Sequence, residues 1–152
     1  MAYSNAAATQ HLLDTLAGAA GELGIALAYL GEAYEQLDEG LAGRLEDELF
    51  RPVQTAYGRA QRVHAEFASR RELPEHAFEQ ARPYVRDHDP KGTIDSAVAA
   101  VERADSVLAT LQDSLLPVEV GDPELRAGLE QVRVQLGGIR ARAREIERLL
   151  GR

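Results

Sequence analysis

The sequence predicts an all-α protein and, within that class, an antiparallel up-and-down four-helix bundle with a crossover between its two hairpins. Three observations support this prediction. Apolar residues recur every three or four positions along most of the 152-residue chain, which is the period of an α-helix. Prolines and glycines punctuate the stretches between these helical patterns. Acidic and basic stretches alternate along the chain, as expected when charge selects which helices are neighbours.

The first predicted helix carries two adjacent apolar rows. One row is Leu16, Leu23, Leu30 and Leu37, and the other is Ala20, Leu27, Tyr34 and Leu41. The helix could end near Gly40 or continue as far as Pro52, and we favour the break near Gly40. Residues 1–10 are expected to form a flexible tail, and residues 11–152 a single four-helix-bundle domain.

A second helix is predicted from about Leu41 to Arg71, with a kink at Pro52, because a proline inside a helix costs about 3 kcal/mol. Spacings of four and three define its core seam, which is Leu49, Val53, Ala56, Ala60, Val63 and Phe67. Phe50, Tyr57 and His64 lie seven positions apart on the adjoining stripe. We expect these three at the edge of the core, each with its ring body buried and, where it has one, a polar tip that can reach a partner or water.

The crossover lies between Leu73 and Gly92, where Pro74, Pro83 and Pro90 interrupt the helical pattern. A short helix from Pro74 to Ala81 is predicted inside it. Beyond it, Ile94, Val101, Leu108 and Leu115 recur at intervals of seven and predict the third helix.

The last helix is predicted from Asp122, as N-cap, with Pro123 in the first turn, to Gly151. Its spacing is that of a heptad seam, as in a coiled coil. The seam is Leu125, Leu129, Val132, Leu136, Ile139, Ala143, Ile146 and Leu150. The short connection PVEVGDP makes this helix an antiparallel neighbour of the third.

Composition narrows the possible functions. The chain has no cysteine, which excludes disulfides, thiolate metal sites and cysteine nucleophiles. A net charge of −8 argues against nucleic acid as a partner, because binding to phosphates requires a basic surface. The longest weakly charged run, residues 15–31, is too short and its side chains too small to span a membrane comfortably. With no secretory signal apparent, a cytoplasmic location is expected.

The edge stripe is the first candidate site. Phe50, Tyr57 and His64, with Arg59 and Phe78, could line a pocket for an anionic or apolar ligand, or a groove for a partner helix. The alternative is that these side chains only pack at the boundary of the core. A lone histidine in a bundle also resembles a phosphotransfer domain, but the residues that follow His64 differ from those that such domains place there.

A stripe of small residues on the first helix is the second candidate. Ala17, Gly21, Gly24, Ala28 and Gly31 follow spacings of four and three. Each helix-interior glycine costs about 1 kcal/mol relative to alanine, so close packing is needed to offset the loss. We therefore predict that this stripe contacts another chain, most simply in a homodimer. The alternative is a stripe that arose by drift in an alanine-rich helix.

Signals for catalysis and metal binding are weak. The chain has no Glu-x-x-His pair, no Gly-x-Ser-x-Gly sequence and no phosphate loop. Loose clusters occur at Glu72, His76 and Glu79, and at residues 87–89, but their spacing does not define a metal site. No cofactor or catalytic residue is predicted, and enzymatic activity is not favoured.

Three functional classes therefore remain. The favoured one is a non-catalytic interaction or scaffolding protein that self-associates through its first helix. The second is a small-molecule binding bundle with a pocket near Tyr57 and His64. Enzymes, phosphorelay proteins and metal-binding proteins form the third and least favoured class.

Overall fold

The computed structural model describes residues 2–82 and 89–150, and the regular secondary structure of these residues is entirely helical. The all-α prediction is therefore confirmed. The helices are α1 (Ala2–Gln36), α2 (Glu39–Leu45), a π-helical turn (Glu46–Phe50), α3 (Arg51–Arg70), α4 (Pro90–Asp113), α5 (Leu116–Val120), α6 (Pro123–Leu136) and α7 (Ile139–Leu150). Helix α1 includes residues 2–10, for which the sequence suggests a tail.

The break after α1 lies just before Gly40, as predicted. Asp38 is the N-cap of α2, and its carboxylate accepts a hydrogen bond from the backbone N–H of Leu41 at 2.9 Å. This bond satisfies one of the free N–H groups at the start of the helix. The aspartate cap rather than the glycine therefore sets the position of the break.

The chain passes Pro52 without losing its helical path. Pro52 lies in the first turn of α3, directly after the π-helical turn Glu46–Phe50. A proline cannot donate a backbone hydrogen bond, and its ring clashes with the carbonyl four residues earlier. A wider helical turn at this point accommodates the ring, so the predicted kink takes the form of a π-turn.

The predicted short helix from Pro74 to Ala81 is wrong, because residues 73–82 form neither helix nor strand. Helix α3 ends in a turn where Glu72 has a φ of 57° and the N–H of Leu73 bonds the Ala68 carbonyl at 2.8 Å. So short a helix carries a large nucleation cost, and here the side chains of Leu73 and Phe78 pack against the core instead. Residues 83–88, with Pro83 and most of the second acidic-histidine cluster, lie outside the described residues.

The second half differs from prediction at two connections. Helix α4 ends at Asp113, so Leu115 is 69% exposed rather than in the core. The following connection contains α5, a short helix that the sequence analysis did not predict. The long last helix is interrupted at Gly137 and Gly138, the latter with a φ of 83°. A left-handed glycine favours a helix end over continuation.

The predicted heptad seam nevertheless continues through this interruption. Seven of its eight residues are buried, and only Leu150 is half-buried. Asp122 caps α6 as expected, accepting a hydrogen bond from the N–H of Leu125 at 2.8 Å. Local capping and apolar spacing therefore predicted this face correctly even where they missed the break.

Helix α1 lies at the centre of the packing. It contacts α3 and α4, while α3 also packs against α6, and α4 against α6 and α7. The buried leucines of α1 are Leu12, Leu13, Leu16, Leu23 and Leu30. By length and mean hydropathy, one helix of the described chain, Asn5–Gln36, could cross a membrane. In its most apolar stretch of 18 residues, 39% is buried within the structure.

Ion pairs join the second-half helices as the charge pattern predicts. Glu102 of α4 pairs with Arg140 of α7 at 3.0 Å, and Asp105 of α4 pairs with Arg133 of α6 at 2.9 Å. The arginines of α3 behave differently. Arg70 pairs with Asp122 at the start of α6, at 2.8 Å, and not with the acidic α1. The basic face of α3 is therefore directed toward α6.

Candidate functional site

An open groove of about 790 Å³ runs between α1, α3 and the crossover. Helix α1 contributes five lining residues, namely Gly24, Leu27, Ala28, Gly31 and Glu32. Helix α3 and the turn before it contribute Phe50, Gln54 and Tyr57, and the crossover contributes Gln80, Ala81 and Arg82. The two sets of residues predicted separately, the edge stripe and the small-residue stripe, thus meet on one surface.

Gly24 allows the ring of Tyr57 to lie directly against α1. A Cβ atom at position 24 would stand 3.3 Å from Cε2 of Tyr57, which is tighter than most real contacts. The absence of a side chain therefore brings the aromatic wall and the floor of the groove together. This close approach gives the glycine a structural role within the chain.

Phe78 connects the groove to the interior of the protein. Its ring meets the edge of Tyr57 with ring centroids 6.4 Å apart and the ring of His64 at 5.7 Å. Edge-to-face contacts between aromatic rings contribute free energy in addition to that gained from burying their surface. Phe78 therefore helps to hold the crossover against α3, although it does not itself line the groove.

His64 is buried beneath the crossover, with only 3% of its surface exposed. His76 stacks edge-on to it, with ring centroids 5.9 Å apart. Burial lowers the pKa of His64, the neighbouring His76 lowers it further, and a hydrogen bond to the backbone of Leu13 acts in the opposite direction. The Nδ1 atom has no hydrogen-bond partner among the described residues. His64 is therefore neutral at physiological pH.

The position of His64 bears on the phosphotransfer hypothesis. Such a mechanism requires a histidine ring that a phosphoryl donor can approach. At 3% exposure, and with His76 and Phe78 packed against it, this ring is not accessible in the folded chain. The structure offers no support for His64 as a phosphoryl acceptor.

Arg59 lies apart from the other candidate site residues. Its guanidinium donates a hydrogen bond to the side chain of Gln131 in α6, at 3.4 Å. It does not line the groove, whose charged lining residues are Glu32 and Arg82. The groove thus combines an apolar floor with one acidic and one basic group at its rim.

The small-residue stripe is divided by the groove. Gly24, Ala28 and Gly31 line it, whereas Ala17 and Gly21 lie nearer the start of α1. A Cβ atom at Gly21 or Gly31 would meet nothing within 4 Å. Packing inside the chain therefore explains Gly24 but not these two glycines.

Sequence reasoning missed the third wall of the groove, formed by Gln80, Ala81 and Arg82. No local pattern marks these residues, since their position depends on how the crossover folds back. Gln54 could have been found, because it lies one helical turn from both Phe50 and Tyr57.

A pair of carboxyl groups between α4 and α7 was also missed. Burial and, after it, the hydrogen bond with Asp95 raise the pKa of Glu147 to about 7. The pair lines a shallow cleft of about 240 Å³ together with Arg140 and Arg144. Among the described residues, no group of three or more histidine, aspartate or glutamate side chains is placed to hold a metal ion.

Comparison with known proteins leaves the groove as the main functional evidence. No protein-family model matches the chain, and no curated protein or solved structure matches it.

Proposed function

We propose that the protein is a non-catalytic binding protein that uses the groove between α1, α3 and the crossover. The observation that carries this proposal is the convergence of Phe50 and Tyr57 with Gly24, Ala28 and Gly31 around one open groove. Aromatic side chains and small residues side by side provide a contact surface with little conformational freedom to lose.

The dimensions of the groove are consistent with binding. Its volume of about 790 Å³ lies in the range of ligand-binding clefts, and such clefts combine an apolar floor with a few polar groups. Here Leu27, Phe50 and Tyr57 supply apolar surface, while Glu32 and Arg82 supply charge at the rim. The proposal includes no catalytic step, because no nucleophile with an adjacent base lines the described groove.

Filling the groove tests the proposal. Gly31→Leu would place a large side chain in it, and Gly18→Leu is the matched control, since Gly18 lies on the same helix, outside the groove, with nothing within 4 Å of its Cβ position. Binding of the apolar dye Nile red would be followed by fluorescence. We expect saturable binding that Gly31→Leu abolishes and Gly18→Leu preserves. Equal binding by both variants, or no saturable binding by the parent protein, would contradict the proposal.

The proposal also covers the topology, a four-helix bundle formed by α1, α2–α3, α4 and α6–α7 in which packed neighbours are antiparallel. The up-and-down order predicted from the sequence is not proposed, because α1 is antiparallel to α4 as well as to α3: Glu22 pairs with Arg103, whereas His11, earlier on α1, shares a cleft with Thr110, later on α4. Helices α3 and α4 therefore run in the same direction, and the crossover returns along the bundle.

Contacts between α3 and α6 support the antiparallel packing. Arg59 bonds Gln131, whereas Arg70, which is later on α3, bonds Asp122, which comes before Gln131 in the chain. The same reversed order of contacts relates α1 to α3, through the pairs Gly24–Tyr57 and Leu13–His64. It also relates α4 to α7, through the pairs Asp95–Glu147 and Glu102–Arg140.

Disulfide trapping tests this topology in a chain without cysteine. A Cβ atom at Gly128 would stand 3.4 Å from Cβ of Val63, close to the spacing of a disulfide. Val63→Cys with Gly128→Cys should therefore cross-link under oxidation. Arg70→Cys with Gln135→Cys should not, because these positions, each seven residues further along α3 and α6, would approach only if the two helices were parallel. The opposite result would overturn the antiparallel arrangement.

Self-association through α1 is a second candidate. Gly21 supports it, because it is exposed and its Cβ position meets nothing within 4 Å, so internal packing does not require a glycine there. Light scattering would measure the mass of the parent protein and of Gly21→Glu. We expect a dimer for the parent and a monomer for the variant. A parent protein that stays monomeric up to its solubility limit would rule this candidate out.

A further inference from the structure

We infer that the groove receives an amphipathic helix with a basic face, supplied by a different protein. This inference rests on the proposed binding function and adds the chemistry of the partner. Two features of the groove carry it, namely the helical spacing of its walls and the two acidic side chains, Glu32 and Glu35, that stand along the α1 side against a single lining arginine, Arg82.

The walls of the groove have the spacing of two helix faces lying side by side. Gly24, Ala28 and Gly31 occupy successive turns of α1, and Phe50, Gln54 and Tyr57 do the same on the α3 side. From Gly24 to Glu32 the floor is about 12 Å long at 1.5 Å per residue, which corresponds to about two turns of a docked helix. Small residues on one wall let a third helix approach closely. A helix in a groove between two helices is a recurrent form of peptide recognition.

Negative charge dominates the end of the groove formed by the second half of α1. Residues 1–43 contain no lysine or arginine. Glu32 lines the groove, and the exposed Glu35 lies three residues further along the same face. Neither makes an ion pair with the residues that the structure describes. A partner with lysine or arginine beside its apolar positions would complement this surface, and such complementarity favours both association rate and selectivity.

A second copy of this chain fits the groove poorly. Its own α1 is the helix whose exposed small-residue face could enter, but that helix carries only acidic charges and would place them against Glu32 and Glu35. The arginine-rich helices α3 and α7 have their apolar faces buried in the core. Charge and burial therefore favour a different protein as the source of the helix.

Synthetic peptides test the inference on the full-length protein. The probe is a 16-residue peptide with leucines at helical spacings of three and four and lysines flanking them. One control peptide replaces every lysine with glutamate, and another scrambles the order of the same residues. Isothermal titration calorimetry should show saturable one-to-one binding of the basic amphipathic peptide that weakens with added salt, and much weaker binding of both controls.

Protein variants locate the contact. Glu32→Gln with Glu35→Gln should weaken binding of the basic peptide by about fivefold. Asp113→Asn with Glu119→Gln is the matched control, since both residues are exposed at another part of the molecule, and it should leave binding unchanged. Gly31→Leu should abolish binding.

The outcomes separate the two proposals. Equal binding of the basic and acidic peptides, or equal effects of the two double variants, would overturn the basic helix as partner. If no peptide binds while Nile red still binds and Gly31→Leu still abolishes dye binding, the partner chemistry is wrong and the binding groove stands. If neither dye nor peptide binding responds to Gly31→Leu, both proposals fail.

Discussion

Helix α3 meets its two main neighbours through glycines, but the two contacts differ in how much they can yield. Toward α1, a Cβ atom at Gly24 would stand 3.3 Å from the far edge of the Tyr57 ring. Toward α6, a Cβ atom at Gly128 would stand 2.5 Å from Cγ2 of Val63. The tyrosine ring can rotate and shift, whereas the branched side chain of valine is short and restricted at χ1.

The difference suggests that the two sides of α3 have different structural roles. The α6 side is closely packed and strengthened by the ion pair between Arg70 and Asp122. The α1 side is opened by small residues and holds the groove beside Tyr57. One side anchors the helix and the other presents a surface. The five predictions that follow test this contrast, in order of decreasing effect.

The largest effect is expected from Gly128→Ala. Alanine normally stabilises a helix interior by about 1 kcal/mol relative to glycine, but the contact with Val63 forces side chain and backbone to shift. We expect a net destabilisation of about 2 kcal/mol, measured by urea unfolding. In a protein that already carries Val63→Ala, Gly128→Ala should cause a smaller loss of stability than it causes in the parent protein. A stabilised Gly128→Ala protein would show that the α6 side is not closely packed.

Asp122→Ala should have the next largest effect, because this carboxylate both caps α6 and pairs with Arg70. Its oxygens accept bonds from the N–H of Leu125 at 2.8 Å and from Arg70 at 3.0 and 2.8 Å. Loss of an N-cap alone costs about 1 kcal/mol. We expect a loss of about 1–2 kcal/mol in thermal or urea unfolding at pH 7.

The same aspartate predicts an acid dependence. Burial alone would raise the pKa of Asp122, but the bonds from Arg70 and Leu125 outweigh it and lower the pKa below the ordinary value of 3.8. The stabilisation is therefore present above about pH 3.8 and is lost as the pH falls through the lowered value. The difference between Asp122→Ala and the parent protein should shrink at pH 2.5. An unchanged difference would argue against the charged pair as its source.

Histidine 64 tests the other side of α3 at milder pH. Because burial and then His76 lower its pKa below the ordinary 6.5, the unfolded chain binds a proton that the folded chain does not. Stability is therefore full above about pH 6.5 and falls as the pH drops below it. Asp14 of α1 and Glu75 of the crossover also act on this ring, and both favour the charged form.

We expect a loss of about 1 kcal/mol in free energy of unfolding between pH 7.5 and 5.5 from this group, after allowance for partial relaxation around the ring. His64→Gln should remove that part of the pH dependence, whereas His11→Gln, which changes an exposed histidine, should not. Because His76 and Phe78 hold the crossover on His64, a glutamate-specific protease should also cleave after Glu79 faster at pH 5.5 than its own pH profile on a model peptide explains. Identical pH dependence in the two variants would show that His64 does not control this stability.

Prediction from the sequence succeeded where the signal lies within a few residues. Leu16, Leu23 and Leu30 are buried as their spacing predicts, and so are all residues of the second helix's core seam except the half-buried Val63. The Asp122 cap is also local and is found in the structure. Burial of seven of the eight heptad positions also follows from spacing alone.

It failed where long-range packing decides the conformation. The crossover takes its position from contacts of Phe78 and His76 with His64, which lies on a different element, so a helical propensity at Pro74–Ala81 was overridden. The groove depends on the same contacts, because residues 80–82 form its third wall. Its two helical walls were predicted as separate sites, since helical spacing places residues on faces but does not show which faces meet.

The smallest stability change is expected from Gly24→Ala, and it is the most direct test of the contrast between the two glycines. Alanine should stabilise the helix by about 1 kcal/mol relative to glycine, but displacing the Tyr57 ring should cost nearly as much. We therefore expect a free energy of unfolding within about 0.5 kcal/mol of the parent value. The displaced ring should enter the groove and weaken Nile red binding. In Gly24→Ala with Tyr57→Ala the offset disappears, so alanine at position 24 should stabilise the protein relative to Tyr57→Ala alone. A loss at Gly24 as large as that at Gly128 would show that both sides of α3 are equally rigid, and the open side could not then adjust to a bound helix.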